Sequence, residues 1–260
     1  NKMRQQMQNS DFAILYRTNA QSRSFEDALR KKNIPYRVYG GLSFYQRKEI
    51  KDVLAYLRLL INHNDEQAFK RIINFPARGI GLTTLNKISI EAKNKSVSDY
   101  IFLKNYSKSS TILNNSTKNK LLNFVIMIES IKAKLESSDV FEITKEVLKQ
   151  SGLYNLYKND ESMEGVNRIQ NIEELLNGIK DFVESNDKSQ LSVSAFLQDV
   201  ALATDQDNET NDKNKVALMT IHLAKGLEFP FVYIVGLEEN LFPSAMNLNS
   251  RTELEEERRL

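Results

Sequence analysis

Strand-like apolar runs occur only at the two ends of this 260-residue chain, and everything from about Lys118 to Thr204 between them shows helical periodicity alone. At the amino end, Phe12 to Tyr16 is a short apolar run that breaks off into the polar loop RTNAQSR. Phe25, Ala28 and Leu29 then recur at helical spacing, and Ile34 to Tyr39 reads as a second strand before Gly40-Gly41. This is a βαβ unit, expected to be right-handed with parallel strands. Ile50, Val53, Leu54, Leu57, Leu60 and Ile61 follow the 3.6-residue period of an amphipathic helix whose other face carries Lys48, Lys51 and Arg58. Another helix is expected from about Thr83. Two further strands, Val216 to Thr220 and Phe231 to Val235, return near the carboxyl end. Polar stretches at NYSKSSTILNNSTKNK and TDQDNETNDKNK flank the helical part and read as linkers. The simplest architecture is an α/β parallel sheet interrupted by an all-helical insert, with boundaries near 105 and 215.

Composition excludes several chemistries. Without cysteine there are no disulfides, thiolate zinc sites or iron-sulfur clusters, and His63 and His222 are the only histidines. No stretch approaches the ~18 apolar residues of a membrane span and the start NKMRQQMQNSDF has no apolar signal core, so a cytoplasmic protein with idle sequons at Asn114, Asn115 and Asn208 is expected. The net charge of +2 conceals a split: residues 17–95 hold 16 Lys or Arg against 7 Asp or Glu, and the remainder is net acidic. A basic surface of this kind suits nucleic acid or nucleotide phosphates, and equally a solvated face without a ligand.

Three loops carry candidate chemistry. In VALMTIHLAKGLEFPFVYIVG, a strand stops at Thr220 and IHLAKGLE follows, so Thr220, His222, Lys225 and Glu228 lie at the carboxyl end of a sheet, where ligands gather in open α/β folds. Lys225 beside Gly226 lets a cation and a bare backbone approach one phosphate. In YRTNAQSR, Tyr16 could stack on a base and Arg17 offers a planar fork for phosphate oxygens, with Asn19, Gln21 and Ser22 as neutral partners; Tyr16 as a half-buried strand-end aromatic and Ser22 as a helix cap fit the same pattern. In PARGIGLTTLNK, Gly79-Ile80-Gly81 frees successive N–H groups, and Thr83 or Thr84 caps a helix whose start favours anions, between Arg78 and Lys87. KQSGLYNLY is a weaker relative, with Gly152 as a helix-ending residue beside Ser151.

The sequence has no GxxxxGK[ST] for a triphosphate and no apolar strand ending in a magnesium-binding Asp-Glu pair, since Asp65-Glu66 and Asp160-Glu161 both sit in polar surroundings. These residues alone do not make a P-loop ATPase. The carboxylates of TELEEERRL read as a solvated helical face.

Taken in order, DFAILYRTNAQSR, IPYRVYGGLSFYQRKEIKDVLAYLRLL, RGIG, LMTIHLAKGLEFP and ELEEERRL resemble the second half of the UvrD/Rep/PcrA family of superfamily 1 DNA helicases across nearly the whole chain. YRTNAQSR is similar to helicase motif IV, TIHLAKGLEFP to motif V, and EEERRL to the opening of motif VI. The resemblance implies that residues 1–105 and 216–260 form the second RecA-like motor domain (2A) and residues 106–215 its helical insert (2B). It implies that Tyr16 stacks on adenine, that Arg17 reaches the γ-phosphate across the motor cleft, and that Glu228 bonds the ribose. Thr220 and His222 would touch single-stranded DNA, and Lys225-Gly226 would couple that contact to the nucleotide. Arg78, Gly79, Gly81 and Thr84 would hold DNA backbone near a duplex junction, with Ser151 and Gly152 touching duplex.

The same resemblance implies a fragment of a 3′-to-5′ translocase. ATP and Mg2+ serve the intact protein, with neither held tightly by these residues alone, and the partners are single strands, junctions, the chain's own first motor domain and repair proteins. The family's motif VI continues past Leu260. A non-catalytic nucleic-acid- or protein-binding module, or part of a helicase-nuclease subunit, are the competing readings.

Overall fold

The computed structural model describes residues 7–106, 113–187, 190–208, 214–238, 241–243 and 251–259. Four strands, β1 (Phe12–Tyr16), β2 (Tyr36–Val38), β3 (Val216–Thr220) and β4 (Phe231–Ile234), form one sheet in the order β2-β3-β1-β4. All three pairings are parallel. The first βαβ unit is therefore built with α1 (Ser22–Lys31) between strands that are not neighbours: β3, from the far end of the chain, inserts between β1 and β2. β3 reads as a continuous apolar run because Val216, Ala217, Leu218 and Met219 are all buried.

The chain separates into two compact units. One comprises Asn1–Arg47 with Ala201–Leu260 and contains the sheet; the other, Lys48–Val200, is helical. This division does not coincide with the polar stretches near residues 105 and 215. α2 (Lys48–Ile61) buries Ile50, Val53, Leu54, Leu57, Leu59 and Leu60, and it packs against α3 (Glu66–Ile72), α6 (Asn115–Lys132), α7 (Val140–Ser151) and α9 (Met163–Ser185), so the helices before the first polar stretch share a core with those after it. Each such aliphatic side chain contributes about 1.5–3 kcal/mol of burial. Residues 107–112 and 209–213, within the expected linkers, lie outside the described residues, whereas Asn114 caps α6 by accepting from Thr117 N at 2.8 Å. The polar run from Asn115 to Lys120 is thus the first turns of a helix.

α1 departs from its apolar pattern. It buries Ser22, Arg23 and Glu26, while Ala28 is exposed and Phe25 and Leu29 are only half-buried. The cause is a polar network: Arg47 donates to Ser22 Oγ at 2.6 Å, Ser22 donates to Glu26 Oε1 at 2.6 Å, and Phe44 N donates to the same carboxylate at 3.1 Å. Buried polar groups joined in this way do not carry the desolvation cost of isolated ones. No helix among the described residues is long and apolar enough to cross a membrane. α11 (Arg251–Arg259) forms in the acidic C-terminal segment; Leu260 and the side chains of Glu253, Glu256 and Glu257 lie outside the described residues.

Candidate nucleotide and nucleic-acid sites

In the sheet unit, the loops after β1, β3 and β4 emerge side by side. Tyr16 is level with Thr220 in the parallel register, Ile221 N donates to Tyr16 O at 3.0 Å, and Val235 N donates to Leu15 O at 3.0 Å. Gln21 organises the first loop. Its Oε1 accepts from Arg17 N at 3.0 Å and from Thr18 N at 2.9 Å, which fixes the backbone from which the Arg17 side chain leaves. The Gln21 amide also fills the space in front of Gly236 after β4, where an added Cβ would lie 2.1 Å from Gln21 Nε2. Gly236 adopts φ +68°, so this position favours glycine on both counts.

The loop after β3 alternates anchors with exposed groups. Ile221 is buried with Ala13, Leu15, Ala217 and Met219, and Ala224 and Phe229 pack against that cluster. Leu223 N and Ala224 N both donate to Thr220 O, at 3.0 and 3.2 Å, which winds the loop into a turn. His222, Lys225, Gly226 and Glu228 are thereby left at the surface. Gly226 has φ +86°, with no atom of the described residues within 4 Å of the position a Cβ would take. Together these groups present a carboxylate, a cation and bare backbone on the loop that follows Thr220, which the register sets level with Tyr16, a set able to meet a sugar hydroxyl and phosphate oxygens.

Tyr16 is placed differently from its neighbours. Its side chain has no exposed surface. Burial pushes the phenol pKa well above its ordinary value, and the nearby Glu26 carboxylate adds to the effect. Ser22, read as a cap, instead belongs to the buried Arg47–Glu26 network, and Gln21 occupies the capping position of α1.

In the helical unit, two turns far apart in sequence meet. The Arg78 guanidinium donates to the carbonyls of Ile72 at 2.9 Å and Pro76 at 3.1 Å, to the Tyr56 hydroxyl at 2.7 Å, and to Ser151 O at 3.4 Å. It also lies over the Phe124 ring, 5.3 Å from the centroid. Arg78 is thus committed to protein carbonyls, tying the Arg78–Gly81 turn to the Ser151–Gly152 turn. Burial raises the Tyr56 pKa, against the opposing influence of Arg78. Asn74 Oδ1 accepts from Arg78 N at 2.9 Å and Ile80 N at 3.1 Å, and Lys120 Nζ reaches Gly79 O at 3.4 Å.

What these turns present outward is backbone. Gly79 has φ +67°, and Gly81 is the N-cap of α4 (Leu82–Asn94) with nothing within 4 Å of its missing Cβ. The helix begins one residue before Thr83, and neither threonine is its cap; Thr84 is half-buried in the first turn. Gly152 ends α7 at φ +82°, also facing open space, and Ser151 Oγ accepts from Leu153 N at 3.2 Å. Lys120 escaped the sequence reading because it sits in a stretch that looked like a linker; Asn74 and Gln21 act through single amide oxygens, which no spacing pattern reveals.

Residues 1–260 match the model of the UvrD-like helicase C-terminal domain. The chain belongs to that family. It is 42% identical over 253 residues to the ATP-dependent DNA helicase PcrA of Staphylococcus epidermidis and 41% identical to PcrA of Staphylococcus aureus. Each alignment covers 96% of this chain and 34% of the relative, so the chain spans about a third of the length of these proteins. The parallel sheet with its helical unit is the α/β, RecA-like architecture with a helical insert that the family resemblance implied.

Proposed function

We propose that this chain is the second motor half of an ATP-dependent DNA helicase that steps 3′ to 5′ along one strand. The observation that carries the proposal is the Tyr16–Thr220 register, which sets the motif IV and motif V loops next to each other at the carboxyl edge of one sheet. In this reading residues 1–105 and 216–260 serve as the motor domain and residues 106–215 as its insert. Arg17, Gly226 and Glu228 form half of a shared ATP site, the other half coming from the first motor domain of the intact protein. Arg17 stabilises charge on the departing phosphoryl group, and Gln21 holds its backbone in place. Tyr16 joins the adenine site only when its ring is uncovered as the cleft forms, because the ring is buried here. Among the described residues no group of three or more His, Asp or Glu side chains is arranged to hold a metal ion.

Thr220, His222 and Lys225 form part of the single-strand track, while Gly79, Gly81, Thr84, Ser151 and Gly152 offer backbone to DNA phosphates near a junction. Arg78 supports that second site by bracing its two turns. Phosphate contacts of this kind position DNA without reading sequence.

The test is unwinding by the intact protein of a duplex with a 3′ single-stranded tail against one with a 5′ tail. ATP-dependent unwinding of the 3′-tailed substrate alone is expected. Binding of both substrates with unwinding of neither would instead favour the non-catalytic DNA-binding module.

A further inference from the structure

The carboxyl end of β2 carries a group of residues that the motifs leave unassigned. Tyr39, directly after β2, remains paired to the sheet, its N–H donating to Leu218 O at 2.8 Å. The residue is nonetheless 39% exposed. Arg37, two residues earlier on the same side of the strand, places its guanidinium 5.2 Å from the centroid of that ring. Gly40 and Gly41 follow. Gly40 has φ +72°, and an added Cβ there would lie 2.0 Å from Leu223 Cδ1, so the turn after β2 rests directly on the loop after β3. Gly41 has open space where a side chain would stand. Val38 opposes Leu218, two residues before Thr220, in the register.

An exposed aromatic ring backed by a guanidinium, beside bare backbone, is the combination that holds a nucleobase by stacking while its phosphate passes close to the chain. The packing of Gly40 against Leu223 sets this platform beside the Thr220–His222 turn. We infer that Tyr39 is a base-stacking platform for single-stranded DNA, with Arg37 backing the ring and Gly40-Gly41 admitting the sugar-phosphate chain. The inference rests on the reading of Thr220 and His222 as the single-strand track and extends that track by one base toward β2. Stacking is indifferent to base identity, as a motor that moves along any sequence requires.

The experiment uses the intact protein without nucleotide, titrated against an oligothymidylate and against an abasic oligonucleotide of the same length and charge. Tyr39→Ala is expected to weaken oligothymidylate binding about 5- to 150-fold, the range of one lost base stack. It should leave abasic binding and the salt dependence of affinity unchanged, and Tyr39→Phe should bind like the parent. If Tyr39→Ala weakens both oligonucleotides equally, or neither, while His222→Ala still weakens binding, the stacking platform is wrong and the track stands. If none of the three variants alters binding, the track itself is wrong.

Discussion

The two units offer ligands opposite parts of the chain. In the sheet unit, buried apolar residues such as Ile221, Ala224 and Phe229 hold a loop so that the side chains of His222, Lys225 and Glu228 stand free at the surface. In the helical unit Arg78 is turned inward onto carbonyl groups and Lys120 lies over Gly79, and what remains open is the backbone of Gly81 and Gly152. The difference matches the tasks proposed for them. A nucleotide site needs charge placed at one oxygen, whereas a grip on duplex of any sequence needs only close approach to phosphates.

The largest expected effect belongs to the sheet unit. Arg17→Ala in the intact protein should lower ATP turnover at least about 100-fold while leaving DNA affinity largely intact, as measured by steady-state hydrolysis and by anisotropy. Unchanged turnover would remove Arg17 from the site. Gln21→Ala should lower turnover by about tenfold, on the order of 1.4 kcal/mol of lost positioning, with little change in the KM for ATP. Gln21→Glu keeps the accepting oxygen and should restore most of the rate; failure of that rescue would mean that Gln21 does more than hold the loop.

Arg78→Ala should act on stability before function, because it strands carbonyls and the Tyr56 hydroxyl that now share one guanidinium. A loss of about 1–3 kcal/mol is expected, read as a lower midpoint in denaturant, and Arg78→Lys should not rescue it because an ammonium lacks the planar fork. An unaltered midpoint would return Arg78 to the role of a DNA-facing cation. The Cβ of Gly81→Val meets no neighbouring atom among the described residues, so stability should hold while binding to a single-strand/duplex junction weakens more than binding to single strands. Equal weakening of both would break the contrast between the units.

The smallest effect is a pH dependence of the helical unit. His63 packs against the Tyr100 ring at a tilt of 50°, and it faces Glu129 at 3.7 Å, Lys132 at 3.5 Å, and the Lys104 that pairs with Glu129. Burial, followed by the Lys132 charge, lowers its pKa below the ordinary value. The unfolded chain then binds the extra proton first, so stability contributed by neutral His63 is present above pH ~6.5 and is lost as pH falls below it. Burial alone would raise the Glu129 pKa, but hydrogen bonds from Lys104 and Tyr100 outweigh it and lower it, so its contribution is lost only at more acidic pH. The fall in melting temperature between pH 7 and pH 5.5 should be smaller in His63→Gln than in the parent.

Much of this organisation was legible in the sequence. β3 was visible because a parallel strand buried on both faces is a continuous apolar run, and Gly152 was visible because few residues besides glycine end a helix in the left-handed region. The buried side of α1 was not, since Ser22, Arg23 and Glu26 become interior only through Arg47 and the Phe44 amide, residues that no local pattern links to them. The meeting of Arg78 with Ser151 was hidden for the same reason: 73 positions separate the partners, and the helical periodicity between them gives no pairing. Tyr16 illustrates the limit from the other side, because its ring type suggested a ligand and its neighbours covered it.

The most direct test of the account is DNA-stimulated ATP hydrolysis, measured for residues 1–260 alone and for the intact protein that contains them. A shared motor predicts turnover by the intact protein and none by residues 1–260 alone. Turnover by residues 1–260 on their own would contradict it, because it would require a complete nucleotide site within residues proposed to supply only one face of it.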